Sequence, residues 1–201
     1  RQPAVSHVLY QVNLLPLTGD KKPIALSDLK NHQAVLCFFV PQRAEAQEML
    51  KRLASLQRKL RNRSTVRVFP VSCEFVQRTS PDGEAVQGSS QEASREDATM
   101  PPDAAAAALQ EEYLERLRAE TTPLLTRIKS EMPAYADPGG LTRRAFKDIQ
   151  AAASGQQRPF VYPTTLVLDG AGCIRGVWFG APPRLEAEIE DLLNQLLQQG
   201  R

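Results

Sequence analysis

The stretch from residue 34 to residue 71 constrains the fold more than any other part of this chain. Residues 34–40 (AVLCFFV) form an unbroken apolar run of strand length, the pattern of a strand buried on both faces. Residues 44–60 follow, with Met49, Leu50, Leu53, Leu56 and Leu60 recurring at helical spacing between Lys, Arg and Glu, so one stripe of that helix must face a core. Residues 66–71 are again short and apolar. A strand, a long helix and a second strand make a βαβ unit, whose two strands are expected to lie parallel through a right-handed crossover.

The flanking segments extend this unit. Residues 8–17 (VLYQVNLLPL) and 23–26 (PIAL), separated by Thr18-Gly19-Asp20, read as an N-terminal β-hairpin. Ser27 and Asp28 offer a cap to a short turn. Residues 79–103 are Ser, Gly, Pro, Gln and acidic side chains with almost nothing large and apolar, which predicts an exposed, mobile, low-complexity insertion. Helical patterning returns over 104–132, and Thr122-Pro123 predicts a break into two helices. Residues 133–136 suggest a short strand, 137–140 (DPGG) a turn, and 141–153 a helix ended near Gly155. Residues 164–168 and 174–179 flank a DGAG turn and read as a hairpin, followed by an amphipathic helix over 184–197. The order predicts an α/β fold, one domain over 1–201 with a central mixed sheet and helices on both faces.

Composition removes several function classes. Lys plus Arg number 25 against 23 Asp plus Glu, and the signs alternate along the chain, so a nucleic-acid footprint of clustered positive charge is not expected. No apolar run approaches the length that crosses a bilayer. Cys37, Cys73 and Cys173 are odd in number and widely spaced, which argues against a disulfide framework. His7 and His32 lie far from any cysteine cluster, so neither a zinc site nor a Cys-His pair is indicated, and the sequence implies no cofactor. The chain starts at Arg1 without an initiator Met, leading us to expect an upstream segment such as a signal or anchor.

Four stretches together resemble the thioredoxin-like redoxin family, the TlpA-type exported thiol-disulfide oxidoreductases and, more distantly, the peroxiredoxins of the AhpC/TSA type. These are residues 19–29 (GDKKPIALSDL), 34–40 (AVLCFFV), 132–146 (MPAYADPGGLTRRAF) and 162–180 (YPTTLVLDGAGCIRGVWFG). The resemblance implies a thioredoxin-like fold, an extracytoplasmic location, and a cis bond at Pro163 facing the redox site. It also exposes a departure. Where the family has Cys-x-x-Cys at the start of the long helix, this chain has Val40-Pro41-Gln42-Arg43-Ala44-Glu45-Ala46, and the two cysteine positions fall on Arg43 and Ala46. Neither side chain can supply the thiolate that disulfide exchange needs.

The reading that follows is a degenerate redoxin domain, a pseudo-enzyme that keeps a groove for extended polypeptide or a partner protein. Pro41, Gln42, Arg43, Tyr162 and Pro163 are its candidate groove residues, with Phe160 and Trp178 as further apolar contacts. The segment before the proline would pair with an added strand, a backbone chemistry that requires no cysteine. The alternative is an atypical thiol-disulfide oxidoreductase or antioxidant protein using Cys73. That cysteine closes the strand 66–71 at the sheet edge where α/β folds place ligands, although Glu74 beside it is expected to raise its pKa. Cys37, in the apolar strand, reads as an inert core residue and Cys173 as a half-exposed hairpin residue.

Overall fold

The computed structural model describes residues 7–19, 21–74, 102–130, 132–156 and 159–199, and the side chains of 102–106 are not among them. Strand β3 (Gln33–Phe39) is buried at every position and forms the centre of the sheet. It pairs in parallel with β4 (Val66–Ser72), as the crossover through α1 (Ala44–Leu60) requires, and antiparallel with β6 (Thr164–Leu168). The full order is β2-β1-β5-β4-β3-β6-β7, with β1 (Asn13–Pro16), β2 (Ile24–Ala25), β5 (Tyr135–Ala136) and β7 (Ile174–Phe179) completing a mixed seven-stranded sheet.

Side-chain alternation along β3 divides the interior into two layers. Val35, Cys37 and Phe39 point to the layer shared with Met49, Leu50 and Leu53 of α1, Leu117 and Leu124 of α2 (Pro102–Arg127), and Ile189 and Leu192 of α4 (Leu185–Gln199). Leu36, Phe38 and Val40 point to the opposite layer, against Phe146 and Ile149 of α3 (Leu141–Ser154). Helices cover both faces, as the alternation of strand and helix patterns predicted.

Two readings of the chain are corrected. The break at Thr122-Pro123 does not occur. α2 runs through Pro123, because Leu117, Leu124 and Leu125 on one face are all buried against the sheet and Thr121 is fully buried, donating its hydroxyl hydrogen to Ser72 Oγ at 2.8 Å. The packed face holds the register across a residue that has no N–H for the Ala119 carbonyl and crowds it. Pro123 is exposed. Pro123→Ala should therefore raise stability by about 1–3 kcal/mol in urea unfolding, and an unchanged or lower value would mean that the proline ring makes a favourable contact there.

The second correction concerns the extent of the insertion. Residues 102 and 103 already belong to α2, while 75–101, which hold the rest of the segment expected to be mobile, lie outside the described residues. The N-terminal hairpin is shorter than the apolar run that announced it. Its paired residues are Asn13 with Ala25 and Leu14 with Ile24, and Val8 instead makes an isolated bridge with Cys173.

Candidate functional site

The register of β3 decides which residues meet at one edge of the sheet. Phe38 stands opposite Thr164 of β6, and Phe39 opposite Ser72 of β4. One step further along, Pro163 comes level with Phe39, and Val40, Cys73 and Tyr162 come level with one another. The backbone bond from Cys73 N–H to Phe39 O at 2.8 Å continues the ladder to that point. The sequence-predicted groove residues are thus brought together in part: Pro41, Gln42 and Arg43 leave β3 where Tyr162 and Pro163 enter β6.

Arg43 is the N-cap of α1, extended at φ −82° and ψ 139°, and its side chain makes no cap hydrogen bond. Ala46, one helical turn on, is buried. Gln42 and Arg43 are exposed, Pro41 and Tyr162 half-buried, and Pro163 buried. The Tyr162–Pro163 peptide bond is cis. Val161, which the sequence reading did not single out, is 47% exposed beside them. Phe160 packs edge-on against Phe38 and Phe146 at centroid distances of 5.5 and 6.0 Å, and so belongs mainly to the core.

Trp178 is also a core residue and not part of the groove. It is 2% exposed in the layer under α1 and α4, and its Nε1–H donates to Glu188 Oε2 at 2.8 Å. Gly176 on the same face of β7 makes room for it, since a Cβ there would lie 2.5 Å from the indole ring.

Behind the edge lies a polar cluster that sequence reasoning missed. Asp137 is fully buried at the start of α3. Its Oδ1 accepts the Thr142 N–H at 2.9 Å, and its Oδ2 accepts the Arg143 N–H at 3.1 Å and Nε–H at 3.0 Å. Arg143 in turn donates to the Tyr162 hydroxyl, and the Cys73 thiol, which donates to the Val71 carbonyl at 3.7 Å, lies in the electrostatic field of Arg143 and Asp137. A carboxylate just ahead of a helix start is a recognised cap signal, but the DPGG context made Asp137 look like a turn residue. The positive φ of Gly139 and Gly140, 64° and 68°, is what allows the chain to turn from Asp137 into α3 while that carboxylate points back at its first N–H groups.

Cys73 and Cys37 occupy environments that suppress thiolate formation. Burial pushes the Cys73 thiol up to about 12, and the opposing attraction of Arg143 does not offset it. Glu74, expected from sequence to be the cause of a raised pKa, instead pairs with Arg116, and desolvation is the dominant effect. Burial likewise pushes Cys37 up to about 12, against a smaller opposing hydrogen bond from Thr165. Cys173 is half-buried. Among the described residues, no group of His, Cys, Asp and Glu is placed to hold a metal ion, and no helix is long and apolar enough to cross a membrane.

No protein-family model matches this chain, and no curated protein matches it. Its fold does have many solved counterparts. A thiol:disulfide interchange protein of the thioredoxin family from Chlorobium tepidum superposes with a TM-score of 0.56 at 14% identity, covering 98% of this chain and 97% of that one. StoA from Bacillus subtilis gives 0.51 at 12% identity over 95% and 99%. A secreted disulfide oxidoreductase from Mycobacterium tuberculosis gives 0.52 at 9% identity over 93% and 97%. At such identities the likeness establishes the fold, which is thioredoxin-like.

Proposed function

We propose that this chain is a thioredoxin-like domain, spanning the chain as one unit, that binds an extended polypeptide or partner protein at the edge formed by Pro41, Gln42, Arg43, Val161, Tyr162 and Pro163, without disulfide exchange. One observation carries the reading. The edge presents an open backbone and an exposed Val161 over a helix start that offers Arg43 and Ala46 in place of thiols. Among the described residues neither the N–H nor the C=O of Tyr162 has a partner, so both remain available to an added strand.

Reactivity at Cys73 has less support. A thiol pushed up to about 12 behind Tyr162 and Arg143 supplies almost no thiolate near neutral pH. An exported location fits the same reading, since a structural neighbour is described as secreted.

The test is amide NMR of the protein titrated with reduced, carboxymethylated insulin B chain, an extended polypeptide without free thiols. Shifts concentrated at Gln42, Arg43, Val161 and Tyr162, weakened about tenfold or more by Val161→Asp, are expected. Shifts confined to another surface, or none, would remove the proposal.

A further inference from the structure

A second site lies at the opposite end of the same strands, independent of the edge just described. Because β5 is only Tyr135–Ala136 and joins β4 at Val71 and Ser72, the outer edge of β4 before Val71 has no neighbouring strand among the described residues. A cleft of about 1070 Å³ opens there, between the β1–β2 connection, the C-terminal end of α1 and the residues that follow α2. Its wall carries Lys21, Lys22, Arg58, Arg61, Arg67 and Lys129, and no carboxylate is among the described residues that line it. Among the described residues none of these six is paired with an acidic side chain. Arg58 donates to the Ala54 carbonyl, and Arg67 meets His32 and the Asp28 carbonyl. Arg63, also on the wall, is held by Asn194.

Helix ends account for part of this charge, since cations are favoured near the C-termini of α1 and α2, where Arg58, Arg61 and Lys129 stand. They do not account for Lys21 and Lys22 on the hairpin connection or Arg67 on a strand. The floor is apolar, with Val66, Val68, Ile128 and Met132. The ladder to β3 runs from Gln33 N–H to Thr65 O and from Cys73 N–H to Phe39 O, which fixes the odd-numbered residues of β4 as the ones facing β3. Val68 therefore turns its N–H and C=O outward into the cleft, and no bond to either is present among the described residues.

The geometry points to a binding site for an acidic, extended peptide segment of a partner protein, which pairs with the open edge of β4 at Val68 while its carboxylates meet the lysines and arginines of the wall. Cations without an acidic partner among the described residues give the charge preference, the outward N–H and C=O give the strand pairing, and the apolar floor takes alternate side chains. A single-stranded nucleic acid is the poorer fit. It needs exposed rings on which bases stack, whereas the aromatic residues lining the cleft, Phe69 and Tyr135, are each only 4% exposed and pack edge-on against each other at 5.5 Å.

The experiment is fluorescence anisotropy with a dye-labelled peptide alternating Glu and Val. The wild-type protein should bind it, with affinity falling as salt rises from about 0.02 to about 0.2 M. Lys21→Gln, Lys22→Gln and Lys129→Gln combined should weaken it about tenfold or more, with an unchanged melting temperature because all three side chains are exposed. Methylating alternate backbone nitrogens of the peptide should weaken it comparably, because strand pairing is then blocked. Val161→Asp, at the other pole, should leave this binding intact whatever becomes of the insulin B chain site. Absence of binding, indifference to the lysine changes or to methylation, loss with Val161→Asp, or tighter binding of oligouridylate of equal charge would each overturn the inference.

Discussion

Asp137→Ala is expected to cost about 3–5 kcal/mol of folding stability, the largest effect of any single change considered. The buried carboxylate does two things at once: it accepts the Thr142 and Arg143 backbone N–H groups at the start of α3, and it pairs with an Arg143 side chain that is only 17% exposed. Removing it strands a guanidinium in a site with little water and leaves the helix cap unfilled, and each loss is destabilising separately. Asp137→Asn keeps an acceptor for the helix and loses the charge, so it should fall between wild type and Ala. Urea unfolding with matched slopes measures all three. A loss under about 1 kcal/mol for Asp137→Ala would mean that Arg143 reaches solvent without its partner and that the cluster does not hold the edge in place. Because Arg143 also donates to the Tyr162 hydroxyl, the same change should loosen the residue that precedes Pro163.

The second large effect is a gain of activity. Arg43→Cys with Ala46→Cys, the three native cysteines having been changed to Ala in both proteins compared, should confer insulin-disulfide reduction that the parent without cysteines is expected to lack. Arg43 is the N-cap of α1 and Ala46 its third helical residue, with the Ala46 N–H already directed at the Arg43 carbonyl at 3.0 Å. A thiolate at an N-cap receives the unpaired N–H groups of the first turn, which lowers its pKa. Positions three apart on a helix lie about 5–6 Å from each other, within disulfide reach. The expected cost is modest overpacking at buried Ala46, about 1 kcal/mol. A folded double variant that forms no disulfide and reduces insulin no faster than its parent would show that the edge at Arg43 is not the counterpart of a redox site.

What the sequence made legible follows from how local each signal is. The strand at 34–40, the helix over 44–60 and the final hairpin and helix carry their patterns within a dozen or so residues, and burial of those patterned faces is what builds the sheet and its two layers. α2 was misread because a proline is a strong local signal, and the packing of Leu117, Leu124 and Leu125 that overrides it is not local. The Asp137, Arg143, Tyr162 and Cys73 cluster was invisible for a related reason. Only Asp137 and Arg143 are near in sequence, and Cys73 and Tyr162 join them through sheet register. Cys73 looked like an edge thiol because it closes a strand, yet it is fully buried in the layer that holds Phe146 and Ile149 of α3. The basic cleft was hidden by a nearly balanced overall charge, since its lysines and arginines come from four separate segments that only the short β5 leaves open to one another.

The claim that this thioredoxin-like chain does not work through thiol chemistry is tested most directly by alkylating the native protein with iodoacetamide across pH and locating the modified cysteines by mass spectrometry. With Cys37 and Cys73 both pushed up to about 12 by burial, their thiolate fractions at pH 7 are about a thousandfold below that of an ordinary cysteine, and both side chains are closed to the reagent in the folded protein. The account predicts that half-buried Cys173 is modified first and that Cys73 stays protected until the protein unfolds. A Cys73 alkylated at pH 7 as fast as Cys173, in protein that remains folded, would contradict it and restore the redox reading.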